Sequence, residues 1–344
     1  MNEAPRRIVY FNRMAHEDGR ARLAATPGVT LKRLDWDAPE ATNWPVLAAA
    51  HGYQISSARQ ELPACYRAAA PLLARCPALL AVSADGAGFD TVDLEACTRA
   101  GVIVVNQAGG NREAVAEHAL AMMLCLSKRL IESDRALRRD RNWHRNDFLG
   151  NDLLGKTLGI IGLGQIGGRL AALCGLLEMR VVAYDPYLDD AQFAERGAAP
   201  VTLDALLAES DFVSVSCPLT EETANMIDAR ALARMKPGAY FITTARGGIH
   251  DEDALAAALG AGVIRGAGLD VWVHEPPALD HPLLAFDNVI LSPHIAGVTE
   301  ESRRQISLYA ADQLAAIWRG ARPERLLNPE AWPRFRARHA EAFR

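Results

Sequence analysis

The sequence predicts an α/β protein of two doubly wound parallel-sheet domains, one inserted into the chain of the other. Three observations predict it. Short β-rich runs alternate with helix-like stretches over most of the chain, the pattern of a doubly wound sheet. Those runs are apolar on both faces, as central parallel strands covered by helices on each side must be. Two long helical stretches, 112–139 and 300–319, have the length of connectors that cross between domains. At 344 residues the chain is long for one domain and sufficient for two cores.

In the first half the strand candidates are residues 7–11, 30–34, 53–56, 79–82 and 102–106, with helical candidates at 63–75 and 92–100. The second half offers strands at 157–163, 180–185, 212–217, 240–244, 266–271 and 289–292. If both long helices are connectors, residues 1–106 plus 300–344 form one domain and 107–299 the inserted one. The segment 334–344 reads as a polar, frayed terminus. Trp143 and His144 follow a basic helix end holding Arg135, Arg138, Arg139 and Arg141. That end reads first as a solvated charged face and second as a segment reaching a partner subunit.

Composition excludes several classes. Half the residues are hydrophobic, 23% are charged and the net charge is −5. Such a chain offers no broad basic surface, which disfavours nucleic acid or an anionic membrane as a partner. Cys65, Cys76, Cys97, Cys125, Cys174 and Cys217 are widely spaced and form no CxxC, so they read as reduced thiols. No His, Cys, Asp and Glu set has metal-ligand spacing, so no catalytic metal is expected. The start carries arginines but no apolar leader, and no apolar run reaches membrane-spanning length. A soluble cytoplasmic protein is the expectation.

The strongest local signal is Gly162-Leu163-Gly164-Gln165-Ile166-Gly167, between an apolar strand and a helix-like run. A lone GxGxxG is weak, but here Asp185 also ends the next strand, completing a dinucleotide-binding fingerprint of Rossmann type. Gly162 permits the tight turn, Gly164 admits the pyrophosphate to the backbone, and Gly167 lets helix pack on strand. The helix start then offers free N–H groups to the phosphates. A carboxylate at 185 accepts hydrogen bonds from ribose hydroxyls and repels a 2′-phosphate, and no arginine stands in Pro186-Tyr187-Leu188. NAD is therefore expected over NADP.

Further motifs follow in one order: Gly86-Ala87-Gly88-Phe89-Asp90-Thr91-Val92-Asp93, Val115-Ala116-Glu117-His118, Cys217-Pro218-Leu219-Thr220 and Thr244-Ala245-Arg246-Gly247. Gly268-Leu269-Asp270-Val271, Glu275-Pro276 and Ser292-Pro293-His294-Ile295-Ala296-Gly297 complete the set. With the glycine fingerprint they resemble the D-isomer-specific 2-hydroxyacid dehydrogenases, specifically over about residues 79–299 and more loosely at both ends. The resemblance implies a Rossmann NAD-binding domain inserted into a flavodoxin-like substrate domain, and usually a homodimer. It implies an NAD-dependent oxidoreductase acting on the CH–OH group of a small unphosphorylated 2-hydroxy acid, reversibly, with a 2-oxo acid such as glyoxylate or hydroxypyruvate, or a longer homologue, as product.

By this resemblance Arg246 would bind the substrate carboxylate and carbonyl, His294 would be the general acid or base, and Glu275 would orient it. Ala87 and Gly88 would hold the substrate carboxylate through backbone N–H groups, and Asp270 would bond the nicotinamide carboxamide. The implied cofactor contacts are Gly162, Gly164, Gln165, Ile166, Gly167, Asp185, Cys217, Pro218, Thr223, Thr244, Ala245, Arg246, Asp270, His294 and Gly297. His118, in an apolar helix pattern, reads as structural, and Cys217 as a strand-end residue lining the cofactor rather than a nucleophile.

The pattern departs at three places. Ala84 stands where phosphoglycerate dehydrogenases carry an arginine, and no further C-terminal domain follows, which disfavours phosphoglycerate. Glu275 stands where formate dehydrogenases carry glutamine, which disfavours formate. Asp85 lies beside the expected carboxylate-binding loop, so it either faces away or meets a substrate hydroxyl. The competing readings are an NAD(H)-responsive binding protein like the C-terminal-binding corepressors, and phosphoglycerate dehydrogenase.

Overall fold

The computed structural model describes residues 5–139 and 143–343. They fall into two compact units. One runs to Asn111 and resumes at Val298; the other is Arg112–Gly297.

In the first unit five strands form one parallel sheet: β1 Arg6–Phe11, β2 Val29–Leu34, β3 Gly52–Ile55, β4 Ala81–Ala84 and β5 Ile103–Val105. Their spatial order is β2-β1-β3-β4-β5, the flavodoxin-like order. Side chains alternate between the faces as the pleat requires. Val9, Phe11, Tyr53, Ile55, Val82 and Val104 meet Trp44, Leu47 and Leu72 on one side. Ile8, Tyr10, Ile103 and Val105 meet Leu23, Leu314, Ile317 and Trp318 on the other.

The second unit carries seven parallel strands: β6 Thr157–Ile161, β7 Arg180–Tyr184, β8 Ala199–Pro200, β9 Phe212–Val215, β10 Tyr240–Thr243, β11 Gly266–Leu269 and β12 Val289–Leu291. The order β12-β11-β10-β9-β6-β7-β8 is the Rossmann arrangement with one strand added at an edge. Helix Arg112–Ser127 covers one face through Ala119, Met122, Met123 and Leu126, beside helix Gln165–Leu176. Leu206, Leu207, Leu232, Leu255 and Leu259 cover the other. The strand order reverses between β6 and β9, so the chain leaves the sheet in opposite directions there and a crevice opens at the carboxyl ends.

Three expectations are corrected. The long helix expected over 112–139 breaks into Arg112–Ser127 and Leu130–Arg139. Arg129 between them has φ +50°, and its guanidinium holds that turn by bonding Glu132 at 2.6 Å and the Asp147 carbonyl. The helix expected over 63–75 is a short turn at Ala64–Tyr66 and a helix only from Ala70 to Arg75. Pro71 explains this, because proline is favoured in the first turn of a helix, where Pro71 stands, and disfavoured further inside one. The segment expected to fray is helix Trp332–Ala342. Its Phe335 is fully buried against the first unit, worth about 1.5–3 kcal/mol in transfer alone. Arg338 adds hydrogen bonds to the carbonyls of Pro77, Ala100 and Gly101. Arg141 lies outside the described residues, and Trp143 and His144 are exposed. No described helix is long and apolar enough to cross a membrane.

His250, just past β10, is 2% exposed, and neither ring nitrogen has a hydrogen-bond partner among the described residues. Burial holds its pKa down at about 4, against the opposite pull of Glu252 and Asp251. The unfolded chain takes up that proton near pH 6.5, so the stability held by the neutral ring is present above pH 6.5 and lost as pH falls towards 4. We expect denaturant titrations to show a loss on the order of 2–3 kcal/mol over that interval, smaller in His250→Leu. An equal pH slope in that variant would refute the assignment.

Candidate active site

The glycine loop occupies the crevice between β6 and β9. Gly162 has φ +90°, and a Cβ there would lie 2.6 Å from the Cys217 amide nitrogen. At Gly167 a Cβ would run into the Gly162 carbonyl. Each glycine therefore allows a backbone-to-backbone approach that no side chain permits. Gly164 differs: a Cβ there would meet nothing within 4 Å, so it faces the open cleft. Helix Gln165–Leu176 starts here, and its first bond runs from the Gly168 N–H to the Gly164 carbonyl at 2.9 Å. The amides of Gln165, Ile166 and Gly167 precede that bond and have no acceptor within the helix. They are donors of the kind that suits an anion, with the positive end of the helix dipole behind them.

Asp185 stands at the end of β7, where one carboxylate oxygen accepts the Leu163 N–H at 3.0 Å and the other the Tyr187 N–H at 3.1 Å. It thus fixes the glycine loop while keeping acceptor capacity at the rim. A cavity of about 810 Å³ opens here, lined by Gly162, Gly164, Asp185, Cys217, Pro218 and Thr223 among others. Thr223 ties its wall together: its hydroxyl bonds the Pro218 carbonyl at 2.7 Å and accepts the Thr220 N–H at 2.8 Å. Size, free amides and a strand-end carboxylate fit a dinucleotide. Burial raises the Cys217 thiol to about 11, so it is an inert wall residue.

Sequence reasoning missed two residues here, one on the cavity wall and one braced against the glycine loop. Tyr187 donates its hydroxyl to Glu222 at the rim, and Arg196 bonds the Leu163 carbonyl. Neither belongs to a motif, because each acts across 33 to 35 residues of chain.

The other group gathers at the carboxyl ends of β10, β11 and β12. Thr244, Ala245 and Arg246 follow β10, and the Arg246 guanidinium bonds the Ala245 carbonyl at 2.6 Å. His294 has φ +56°, a left-handed conformation uncommon outside glycine. Its N–H donates to the Asp270 carbonyl at 2.7 Å, and its Nδ1 meets the two Glu275 oxygens at 2.9 and 3.1 Å. Burial alone would raise the Glu275 carboxyl. The His294 bond and charge, the Trp272 N–H and the Arg246 charge outweigh it and hold the pKa below 4.5. Glu275 is therefore an anion, the partner that suits a proton on Nδ1 of His294.

Asp270 is fully buried. One oxygen accepts the Ser292 hydroxyl at 2.6 Å and the Ile295 N–H at 2.8 Å, and the other accepts the Ala296 N–H at 2.8 Å. It holds the loop that carries His294 and leads into Gly297. His118 touches this set through the Ser292 hydroxyl, 3.1 Å from its Nε2.

Ala87 and Gly88 belong to the first unit, in the loop after β4. The Gly86 and Ala87 carbonyls are pinned by the Gln107 N–H at 2.8 Å and the Asn106 side-chain amide at 2.7 Å. The Ala87 and Gly88 amides have no acceptor among the described residues. Asp85 turns to Ser57, accepting its N–H at 2.7 Å, and burial raises its pKa.

Residues 120–296 match the family described as D-isomer specific 2-hydroxyacid dehydrogenase, NAD binding domain. The chain is 40% identical to glyoxylate reductase of Korarchaeum cryptofilum over 257 residues, covering 74% of this chain and 77% of that one. It is 41% identical to D-3-phosphoglycerate dehydrogenase of Archaeoglobus fulgidus over 235 residues, 68% of this chain but 44% of the relative. The match thus spans less than half the length of that relative. Among solved structures, D-lactate dehydrogenase from Aquifex aeolicus, complexed with NAD and lactic acid, superposes with a TM-score of 0.77 at 31% identity. That match covers 91% of this chain and 96% of that one.

Two glycine variants separate folding from binding. Gly167→Ala should lower the melting temperature by several degrees, because the clash is with backbone. Gly164→Ala should melt like the wild type yet bind NADH at least about tenfold more weakly, roughly 1.4 kcal/mol. Unchanged NADH affinity in Gly164→Ala, by fluorescence titration, would remove the pyrophosphate from this loop.

Proposed function

Because this chain belongs to the D-isomer specific 2-hydroxyacid dehydrogenase family, we propose that it is an NAD-dependent D-2-hydroxyacid dehydrogenase. Its substrate would be a small unphosphorylated 2-oxo or 2-hydroxy acid, of glyoxylate or hydroxypyruvate type or longer. The observation that carries this reading is the Glu275 carboxylate on Nδ1 of His294, at the strand ends of the sheet whose glycine loop fits a dinucleotide.

Bound NAD(H) supplies the hydride donor or acceptor. Arg246 holds the carboxylate and carbonyl oxygens of the acid with its planar fork. His294 gives its Nε2 proton to the developing alkoxide in reduction and takes it back in oxidation. Glu275 keeps the ring in the required tautomer. The free amides of Ala87 and Gly88 suit the substrate carboxylate. In the cofactor cleft, Asp185 accepts from the adenosine ribose. A 2′-phosphate about 4 Å from Asp185 would meet roughly 4 kcal/mol of repulsion at an effective dielectric near 20. Half of that is about a thirtyfold preference for NAD.

A second reading is supported by the identity to phosphoglycerate dehydrogenases. Against it stands Ala84, which offers no charge to a phosphate. The cytoplasmic placement draws on six cysteines that are all free. The homodimer draws on helix Leu130–Arg139, which has no buried residue and exposes Leu130 and Leu137 by half or more, an apolar stripe of the kind a partner covers. The net charge of −5 supports a small molecule rather than nucleic acid as the main partner.

The test is oxidation of NADH and NADPH against 2-oxo acids graded in length, bulk and phosphorylation. We expect turnover with NADH on a small unphosphorylated acid, reduced about 10²–10⁴-fold in His294→Ala while NADH still binds. Preference for a phosphorylated acid would transfer the assignment to the second reading, and silence across the panel would overturn the enzyme. For the assembly, light scattering should show a dimer that becomes a monomer in Leu137→Glu; a wild-type monomer would contradict the dimer.

A further inference from the structure

The three candidate catalytic side chains are tied to one another through a stretch of chain that itself holds only one of them. Residues 272–275 follow β11 and end in Glu275. Within this stretch Trp272 is anchored in the core, but Val273 is half exposed and its side chain packs little. What fixes the backbone at Val273 is Glu252, the first residue of helix Glu252–Gly260. One oxygen of Glu252 accepts the Val273 N–H at 2.8 Å, and the other meets Nε2 of His281 at 3.1 Å. His281 Nδ1 accepts the Leu283 N–H at 3.3 Å, which leaves the ring proton on Nε2 for Glu252. The two side chains are 13% and 17% exposed, so this is not a solvated surface pair of negligible worth.

Trp272 spreads this fixation to the whole set. His281 stands edge-on to its ring, 5.4 Å between centroids. The Trp272 N–H donates to Glu275 at 3.2 Å, and its indole N–H donates to the carbonyl of Ser292, two residues before His294, at 3.2 Å. Its carbonyl lies against Gly247, beside Arg246, where a Cβ would collide. The stretch therefore abuts the neighbour of Arg246, carries Glu275, and bonds the approach to His294.

We propose that Glu252, braced by His281, is a positioning residue that holds residues 272–275 so that Glu275 stays on Nδ1 of His294. The proposal rests on reading Arg246, Glu275 and His294 as the catalytic set. Glu252 touches none of the reacting atoms. Its effect runs through geometry, where a displacement near 1 Å costs on the order of 100-fold in rate.

The experiment compares Glu252→Ala, Glu252→Gln and the wild type with NADH bound. It follows two signals: the NMR resonance of the His294 Nδ1 proton, assigned by its absence from His294→Ala, and the split between kcat and KM. Glu252→Ala should broaden or shift that resonance and lower kcat about 10- to 100-fold with KM for NADH little changed. Glu252→Gln keeps an oxygen for the Val273 N–H and should recover most of both. A lowered melting temperature with resonance and kcat as in the wild type would leave Glu252 a structural residue only and overturn the proposal. If the wild type turns over no acid, the resonance decides alone, so failure of the enzyme reading is distinct from failure of this one. Should Glu252→Ala not fold, His281→Phe keeps the ring against Trp272 and removes the brace. It should show the same loss, and a wild-type resonance there would equally reject the role.

Discussion

A carboxylate sealed from water must find its hydrogen bonds inside the protein, and Asp270 finds them in one loop. It is fully buried, and its partners are the Ser292 hydroxyl and the amides of Ile295 and Ala296. Losing such partners would leave a buried charge uncompensated, at a cost of several kcal/mol. That penalty leaves the loop one conformation, and in it His294 takes a positive φ and turns Nδ1 towards Glu275. The Arg246 segment, the Glu275 stretch and the His294 loop emerge from adjacent parallel strands. The sheet brings them together and the buried hydrogen bonds orient them.

The cofactor cleft follows from a different constraint, the exclusion of side chains. Gly162 and Gly167 let three backbone segments meet where any Cβ would intrude. The helix start that results points unsatisfied amides at open space. Asp185 serves the same construction twice: it braces the loop through Leu163 and leaves negative charge where the sugar of a dinucleotide would lie. Shape and charge therefore select through the same residues.

Much of this was legible in the sequence because its physics is local. The apolar runs that become β1, β6, β9 and β10 are continuous in the chain, and the glycine spacing follows from one turn between a strand and a helix. Arg246, Glu275 and His294 were legible through motif resemblance, since each sits in its own short signature. What was not legible acts at long range. The break at Arg129 depends on the Asp147 carbonyl, 18 residues on. Tyr187 meets Glu222, and Glu252 meets His281, and neither pairing leaves a period or spacing to read. The segment 334–344 misled because arginines dominate it, whereas its structure is decided by Phe335 and by carbonyls more than 230 residues earlier.

That last helix bears on how the chain is made. The face of β1 and β5 that holds Ile8, Tyr10, Ile103 and Val105 is sealed by Leu314, Ile317, Trp318 and Phe335. On a ribosome these strands emerge with much of their interior still unsynthesised. The dinucleotide unit, by contrast, is complete once Gly297 has cleared the exit tunnel. At roughly 5–20 residues per second the early strands wait on the order of ten seconds or more for their closing layer. The strands made before the dinucleotide unit thus finish packing after it.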